Sequence, residues 1–334
     1  MYSYYLKRTG RAILTVWLVI TLTFGMIRLL PGGPLTRIRA KLLRQGIPSD
    51  QVNELVSVYQ NVQLDQPVYI QYFDYLISFL QGDLGKSMTY DRTVTSIIAE
   101  ALPWTIFVMV TATILMFAVG VVIGALQAYK EGSRFDSAMS VTSIILSSLP
   151  FYILGIVLVY ILGYQLNVFP TGGQVASGVD PELSLTFFVS ALKHAMLPII
   201  SIVITQAGVQ ALTMRGNSIQ ILGEDYVRVA RLRGLSDNRI SLRYVARNAI
   251  LPMYTSFLTL IGFNLGGSVI LERVFKYPGV GWYMFNALQA RDYPLMMGIF
   301  LIITTALVFA VYIADLTYGI IDPRVSAGDS SETY

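Results

Sequence analysis

The sequence has 334 residues, of which 54% are hydrophobic and only 13% are charged, with a formal net charge of +4. Because soluble domains carry about 25% charged residues, this composition excludes an ordinary soluble protein and predicts an all-α polytopic membrane protein. The absence of cysteine and the presence of a single histidine exclude disulfides, zinc–thiolate sites and histidine-pair metal sites.

Six apolar stretches are long enough to cross a bilayer, which takes about 20 helical residues. They are residues 12–30, 102–129, 137–165, 194–222, 249–271 and 294–321. The first stretch follows Lys7, Arg8 and Arg11 but has no small-residue cleavage site after it. We therefore expect it to be retained as a signal-anchor helix.

The distribution of Lys and Arg predicts that both termini face the cytoplasm. With the N-terminus inside, the inner segments carry three, two, seven and one of these residues, whereas the two short outer loops carry none and three. The chain is then expected to comprise an N-terminal transmembrane helix, an extracytoplasmic helical segment, a core of five transmembrane helices and a cytoplasmic tail. The predicted boundaries of these segments are 1–30, 31–101, 102–322 and 323–334.

The extracytoplasmic segment is too long for a simple loop. Phe73, Leu76, Ile77 and Leu80 recur at helical spacing with polar residues between them, which predicts an amphipathic helix. A second helix is expected after Pro48-Ser49-Asp50. We expect the segment to form a small external helical cap that lies on the membrane part.

Several polar or small residues fall inside the apolar stretches. Gly120 and Gly124 are four residues apart, which favours close contact with another helix. Pro150 predicts a kink. Gln206 and Asn264 are polar at membrane depth and should face a partner or a cavity rather than lipid. They are candidate pathway-lining residues, and ordinary packing within the bundle is the alternative.

The segment from Glu224 to Gly234 places acidic residues first, basic residues last and then a glycine. Acids suit the positive N-terminus of a helix and bases its negative C-terminus, and glycine supplies the left-handed residue that ends a helix. Tyr226, Val229 and Ala230 are expected to form one apolar face that enters a groove on a partner. The alternative is a basic loop that only sets the topology.

No catalytic motif is present, and no metal site is expected. Gly82-Asp83-Leu84-Gly85-Lys86-Ser87 looks like a phosphate loop, but two residues rather than four separate its glycines. Asp315 and His194 lie near the ends of predicted spans, where interfacial residues are more common than proton carriers.

Three blocks of residues carry a family resemblance. They are Asp225-Tyr226-Val227-Arg228 to Arg247-Asn248-Ala249-Ile250-Leu251-Pro252, Glu272-Arg273-Val274-Phe275 to Arg291-Asp292-Tyr293-Pro294, and Asp315-Leu316-Thr317-Tyr318 with Asp322-Pro323-Arg324. In this order and spacing they resemble the permeases of binding-protein-dependent ABC transporters of the dipeptide/oligopeptide/nickel class. The chain is most similar to the first-permease, or B-type, subunit of that class.

This resemblance implies a permease in the prokaryotic plasma membrane that imports peptides and pairs with a second homologous permease. Two cytoplasmic ATPase subunits would bind ATP and Mg²⁺, and an extracytoplasmic solute-binding protein would deliver the solute. No cofactor would be bound by this chain. Nickel chelates and oligosaccharides are alternative solutes of the same class, and a secondary transporter is an alternative mechanism.

The resemblance also implies two sites. A coupling helix over 224–235 would contact an ATPase through Asp225, Tyr226, Arg228, Val229, Ala230, Arg233 and Gly234. The outer loop 272–293 would contact the binding protein or form a gate through Glu272, Phe275, Pro278, Gly279, Gly281, Arg291 and Asp292. Pro278, Gly279 and Gly281 are expected to build a compact reverse turn in that loop.

Overall fold

The computed structural model describes residues 2–29, 34–60, 66–179, 182, 184–236, 239–264 and 266–321. The described residues form helices and no β-strand; Lys86 and Thr93 make an isolated β-bridge. The predicted tail, 323–334, and the Asp322-Pro323-Arg324 part of the resemblance lie outside the described residues.

The helices in the first half are α1 (Tyr2–Leu29), α2 (Pro34–Arg44), α3 (Ser49–Gln60), α4 (Val68–Leu80), α5 (Val94–Tyr129), α6 (Arg134–Ser147) and α7 (Phe151–Leu158). A π-helical stretch, Val159–Gln165, continues α7. The later helices are α8 (Leu185–Leu222), α9 (Asp225–Leu232), α10 (Leu251–Asn264), α11 (Val269–Val274), α12 (Val280–Ala290) and α13 (Tyr293–Ile321). A second π-helical stretch, Ile240–Ala246, and a single turn, Arg247–Ala249, precede α10.

Among the residues that the structure describes, four helices are long and apolar enough to cross a membrane, namely α1, α5, α8 and α13. A fifth span is obtained if α6 and α7 count together, although the two are bent by 90°. Pro150 lies at this bend and precedes the first residue of α7. Proline lacks a backbone N–H and cannot continue a helix without disruption. The predicted membrane-spanning helical class is confirmed at this level, with four or five spans.

Several predicted spans differ in length from the helices observed, and α1, for example, begins at Tyr2 rather than near 12. α5 begins at Val94 rather than near 102, and α8 begins at Leu185 rather than near 194. The predicted span 249–271 corresponds to α10, whose 14 residues fall short of the roughly 20 needed to cross a bilayer.

The chain packs as two compact units. Their boundaries differ from those of the four segments that were predicted from the membrane topology. The first comprises Met1–Thr105, Leu265–Val269 and Pro278–Tyr334, and the second comprises Ile106–Asn264 and Ile270–Tyr277. The boundaries predicted for the four segments stay a prediction.

In the first unit, the segment between α1 and α5 folds onto α1 and α13. Ile38 of α2, Val52 of α3 and Tyr75 of α4 share one hydrophobic cluster with Ile20 of α1 and Leu301 of α13. The helix predicted after Pro48 is confirmed as α3.

Of the four residues predicted to form the apolar stripe of α4, Leu76 packs against this cluster and the other three do not. Gln71 and Tyr75 are buried, whereas Phe73, Ile77 and Leu80 are exposed. Helical spacing located an apolar stripe correctly. The buried positions of α4, however, are occupied by Gln71 and Tyr75, whose side chains combine an apolar part with a polar end.

In the second unit, α8 packs closely against α5 and α6. A Cβ atom added to Gly124 of α5 would lie 2.7 Å from the Met214 Cβ, and one added to Gly120 would lie 2.8 Å from the Ala207 carbonyl oxygen. The close helix contact predicted for these glycines is confirmed.

Candidate functional site

The helix predicted in the segment after α8 is present as α9, Asp225–Leu232. Asp225 lies in its first turn and Arg231 in its last turn, as the helix dipole favours. Gly234 follows with a φ of +72°, the left-handed conformation predicted for it. The Leu235 backbone N–H returns to the Ala230 carbonyl oxygen at 3.3 Å and closes the turn.

One side of α9 is buried in the chain's own hydrophobic cluster. Val227 and Ala230 are three residues apart and pack with Ile240 and Val245 of the π-helical stretch that follows. Ala230 is only 2% exposed, so it does not lie on a partner-facing surface. The expectation that Ala230 enters a groove on a partner is wrong on this point, because the returning chain covers that side.

The opposite side of α9 exposes apolar side chains between basic ones. Val229 is 52% exposed and Leu232 is 81% exposed. The exposed residues Arg228, Arg231 and Arg233 flank them. An exposed apolar stripe with a charged rim is typical of a surface that docks on another protein.

Hydrogen bonds fix α9 and its neighbours to the second unit. Asn248 Nδ2 donates to the Tyr226 hydroxyl oxygen at 3.1 Å. Further back along α8, Asn217 Nδ2 donates to the Ala249 carbonyl oxygen at 3.1 Å. The Arg215 guanidinium forms a bidentate pair with the largely buried Asp136 carboxylate at 2.6 and 2.7 Å. Such paired bonds hold two helices in one orientation. The helix that precedes α9, α8, is therefore fixed to α6 and to the segment before α10.

The first half of the predicted outer loop belongs to the second unit. Phe275 is buried, and its ring lies where a Cβ on Gly155 would approach it to 2.9 Å. The Gly173 N–H donates to the Lys276 carbonyl oxygen at 3.2 Å. Burial raises the pKa of the Tyr277 phenol, and the Glu272 carboxylate adds to that shift. The hydroxyl therefore stays uncharged, and this half of the loop is internally packed.

The second half of the predicted loop belongs to the first unit and is helical. Gly281 lies inside α12, and Gly279 directly precedes it with a negative φ of −89°. Pro278, Gly279 and Gly281 therefore do not build the compact reverse turn that was predicted. They lead into a helix, because the apolar residues after Gly281 pack against Ile97 and Leu295.

The buried Asp292 carboxylate ties α13 to the segment before α5. Its Oδ2 accepts hydrogen bonds from the Ser87 hydroxyl at 2.6 Å and the Thr89 N–H at 2.8 Å. Its Oδ1 accepts from the Leu295 N–H at 3.2 Å, in the first turn of α13. Arg291 before it is exposed and left-handed, with φ +55°. The segment that mimicked a phosphate loop thus provides Ser87 as a structural partner.

The two candidate pathway residues are both partly buried. Asn264 Nδ2 donates to the Thr113 hydroxyl oxygen at 2.7 Å, so it links the end of α10 to α5. Gln206 lies on α8 next to the buried Thr205. A pathway role for both stays a prediction. Within the described ranges, no group of three or more His, Asp or Glu side chains is placed to hold a metal ion.

Residues 120–327, which include α8, α9 and α10, match the family described as binding-protein-dependent transport system inner membrane component. The chain belongs to this family. The resemblance carried by its three sequence blocks is therefore confirmed.

Individual members of the family are similar over nearly the whole chain. The di/tripeptide transport system permease protein DppB of Pseudomonas aeruginosa is 31% identical, covering 97% of this chain and 99% of the relative. The oligopeptide transport system permease protein AppB of Bacillus subtilis is 31% identical with the same coverage. The dipeptide transport system permease protein DppB of Escherichia coli is 30% identical, again over 97% and 99%.

Three residues that shape α9 were not among the predicted site residues, although Val227 and Asn248 belong to the first block that carries the family resemblance. Val227 anchors its inner side, Leu232 is its most exposed apolar residue, and Asn248 holds Tyr226. Val227 and Ala230 share one helix face by their spacing of three, and this signal was available. No local pattern indicates Asn248, since its partner comes from tertiary packing.

Proposed function

We propose that this chain is the B-type permease subunit of an ATP-driven importer of dipeptides and oligopeptides. The family membership and the permeases named for peptide transport at about 30% identity support the solute class. A second homologous permease completes the translocation path. ATP and Mg²⁺ bind to two separate cytoplasmic ATPase subunits, which carry out hydrolysis, and an extracytoplasmic binding protein delivers the peptide.

In the proposed topology the chain has six spans, with both termini in the cytoplasm. The excess of Lys and Arg in the predicted inner segments supports this orientation. The span beyond the four or five described above is the predicted one over 249–271, the fifth in chain order, which contains α10. The chain lies in the prokaryotic plasma membrane.

The observation that carries the mechanism is the two-sided character of α9. Its inner side is fixed in the second unit, and its outer side presents Val229 and Leu232 between arginines. We assign α9 as the coupling helix, with Tyr226, Arg228 and Arg233 among its contacts to an ATPase. Closure of the ATPase pair around ATP moves α9, and the packed spans follow because close-packed helices shift between discrete arrangements.

The outer segment 272–293 is assigned to the binding protein or to the gate. The exposed Arg291 lies two residues before α13, next to a span. Glu272, Phe275 and Asp292 support the surface from inside, since all three are buried.

Transport by the complete complex in liposomes tests this function. Labelled di- and tripeptides should accumulate only with ATP and the cognate binding protein, and nickel chelates or oligosaccharides should not compete. Uptake of nickel chelates or sugars instead would move the chain to another solute of the same class. Uptake driven by an ion gradient without ATP would replace the importer with a secondary transporter.

A further inference from the structure

Helix α4 exposes an apolar stripe that its own unit does not cover. Tyr69, Phe73, Ile77 and Leu80 lie on one side of the helix and are 66%, 57%, 50% and 73% exposed. The opposite side, with Gln71 and Tyr75, is buried. Large apolar stripes on soluble surfaces mark a docking site for a protein or a membrane.

The neighbours of α4 place this stripe at the depth of a bilayer. The Tyr72 hydroxyl lies 2.8 Å from the Thr21 hydroxyl of α1, and the Tyr72 ring packs edge-on against Phe24. Both residues belong to Leu6–Met26, the stretch of α1 apolar enough to cross a membrane. α4 therefore lies alongside a spanning helix, and not only above it.

The C-terminal end of α4 reaches furthest along α1. Leu76 and Leu80 line a groove of about 440 Å³ together with Trp17, Ile20 and Phe309, between α1 and α13. At 1.5 Å per residue, Ile20 and Trp17 lie about 9 and 14 Å from the end of the apolar stretch at Met26. Half of a hydrocarbon core is about 15 Å thick, so Leu80 is level with acyl chains.

The charge distribution on α4 agrees with this placement. Asp74 is its single charged residue, and it lies with Ser78 along a separate polar hollow that also contains Asp83 and Lys86. The stripe itself carries no charge, and the one charged residue of α4 lies along that hollow, whereas three arginines flank the outer side of α9. Lipid is the partner that requires no hydrogen bonds or charges from the surface it covers.

We propose that α4 is immersed in the leaflet next to the C-terminal end of α1, with its stripe facing lipid. The groove between α1, α4 and α13 holds an acyl chain of that leaflet. The lipid-exposed surface of α1, which includes Ile13, Leu18 and Leu22, continues across the groove onto α4. The segment after α1 is therefore partly a membrane element and not only an external cap.

Single cysteines test this proposal cleanly because the chain contains none. Ile77→Cys on the stripe and Ser78→Cys on the polar side are adjacent in sequence and form a matched pair, and the unsubstituted chain gives the background from partner subunits. Each variant is labelled with a bimane fluorophore in the purified complex and reconstituted with ordinary or chain-brominated phosphatidylcholine.

Brominated lipid should quench most of the bimane fluorescence at Ile77→Cys and little of it at Ser78→Cys. A membrane-impermeant maleimide should react with Ser78→Cys and not with Ile77→Cys. Equal quenching at the two positions, or rapid maleimide reaction at Ile77→Cys, would overturn the proposal. So would crosslinking from Ile77→Cys to another subunit, since a protein would then cover the stripe. Peptide uptake measured on the same samples reports separately on the proposed transport function.

Discussion

Helices α4 and α9 are both short, and each buries one side in its own unit while exposing apolar residues on the other. On α9, the exposed Val229 and Leu232 lie between arginines. On α4, the stripe with Ile77 and Leu80 carries no charge, and the single charged residue of the helix, Asp74, lies along a separate polar hollow. A charged rim suits a partner that meets the helix in water, whereas its absence suits a hydrocarbon solvent. The rim, more than the apolar residues, distinguishes the two partners.

The largest effect is expected from a charge on the outer side of α9. Leu232→Asp places a carboxylate at the centre of the proposed ATPase contact, where an unpaired charge is costly to desolvate. Peptide uptake should be lost and solute-stimulated ATP hydrolysis should fall to its unstimulated rate. The melting temperature of the chain should not change, because Leu232 is 81% exposed.

Leu43→Asp, which alters an exposed leucine on α2 outside the spanning helices, is the matched control and should retain stimulated hydrolysis. If Leu232→Asp transports at the wild-type rate, α9 is not the coupling helix. The basic segment would then serve only to set the topology.

A bulky residue on the inner side of α9 should act on folding instead. Ala230→Trp overfills the cluster formed with Val227, Ile240 and Val245, and overpacking costs about 3 kcal/mol at the upper end of its usual range. The melting temperature should fall, and uptake should fall with the amount of folded protein. Val229→Trp, one residue away and exposed, is the control for folding and should leave the melting temperature unchanged. Loss of coupling at an unchanged melting temperature would contradict the buried position of Ala230.

A charge on the stripe of α4 should lower the stability of the protein in a membrane. It should not change the rate of peptide uptake per folded complex. Ile77→Asp would expose a carboxylate to lipid at a cost of about 2 kcal/mol. Ser78→Asp, on the polar side in the hollow with Asp74 and Asp83, should cost only the like-charge repulsion of solvated carboxylates, about 0.5 kcal/mol. Thermal unfolding in nanodiscs measures the difference, and detergent should reduce it because water then reaches the helix end. Equal melting temperatures for both variants in nanodiscs would place Ile77 in water.

The sequence predicted helices and spans better than it predicted which side of each helix is covered. Periodicity identified the apolar positions of α4 and α9, and the order of charges and Gly234 located the end of α9. Neither pattern distinguishes two apolar faces on one helix. Ala230 is small enough to pack under the chain that returns after α9, and Tyr75 buries its ring in the cluster of the first unit. Only the tertiary structure shows that these two residues are on the buried side of their helices.

The outer segment illustrates the same limit. Pro278, Gly279 and Gly281 have the composition of a turn, but the residues after them pack into a cluster that stabilises α12. Asp292 was identified as a site residue from the family motif, whereas its partners Ser87 and Thr89 lie about 200 positions earlier in the chain. Hydrogen bonds over such separations leave no local trace in a sequence.

The smallest change in stability is expected at Gly234, in the turn that ends α9. Substitutions there distinguish the cost of backbone strain from the cost of a steric contact. An added Cβ on Gly234 would meet no atom within 4 Å, but its φ is +72°. Gly234→Ala should therefore cost only the left-handed strain, about 1 kcal/mol. Gly234→Asn should cost less, because asparagine adopts this conformation more readily. Calorimetric melting of the three proteins measures the order. If Gly234→Ala and Gly234→Asn are equally destabilising, a steric contact rather than φ sets the cost, and the turn does not hold α9 through its backbone.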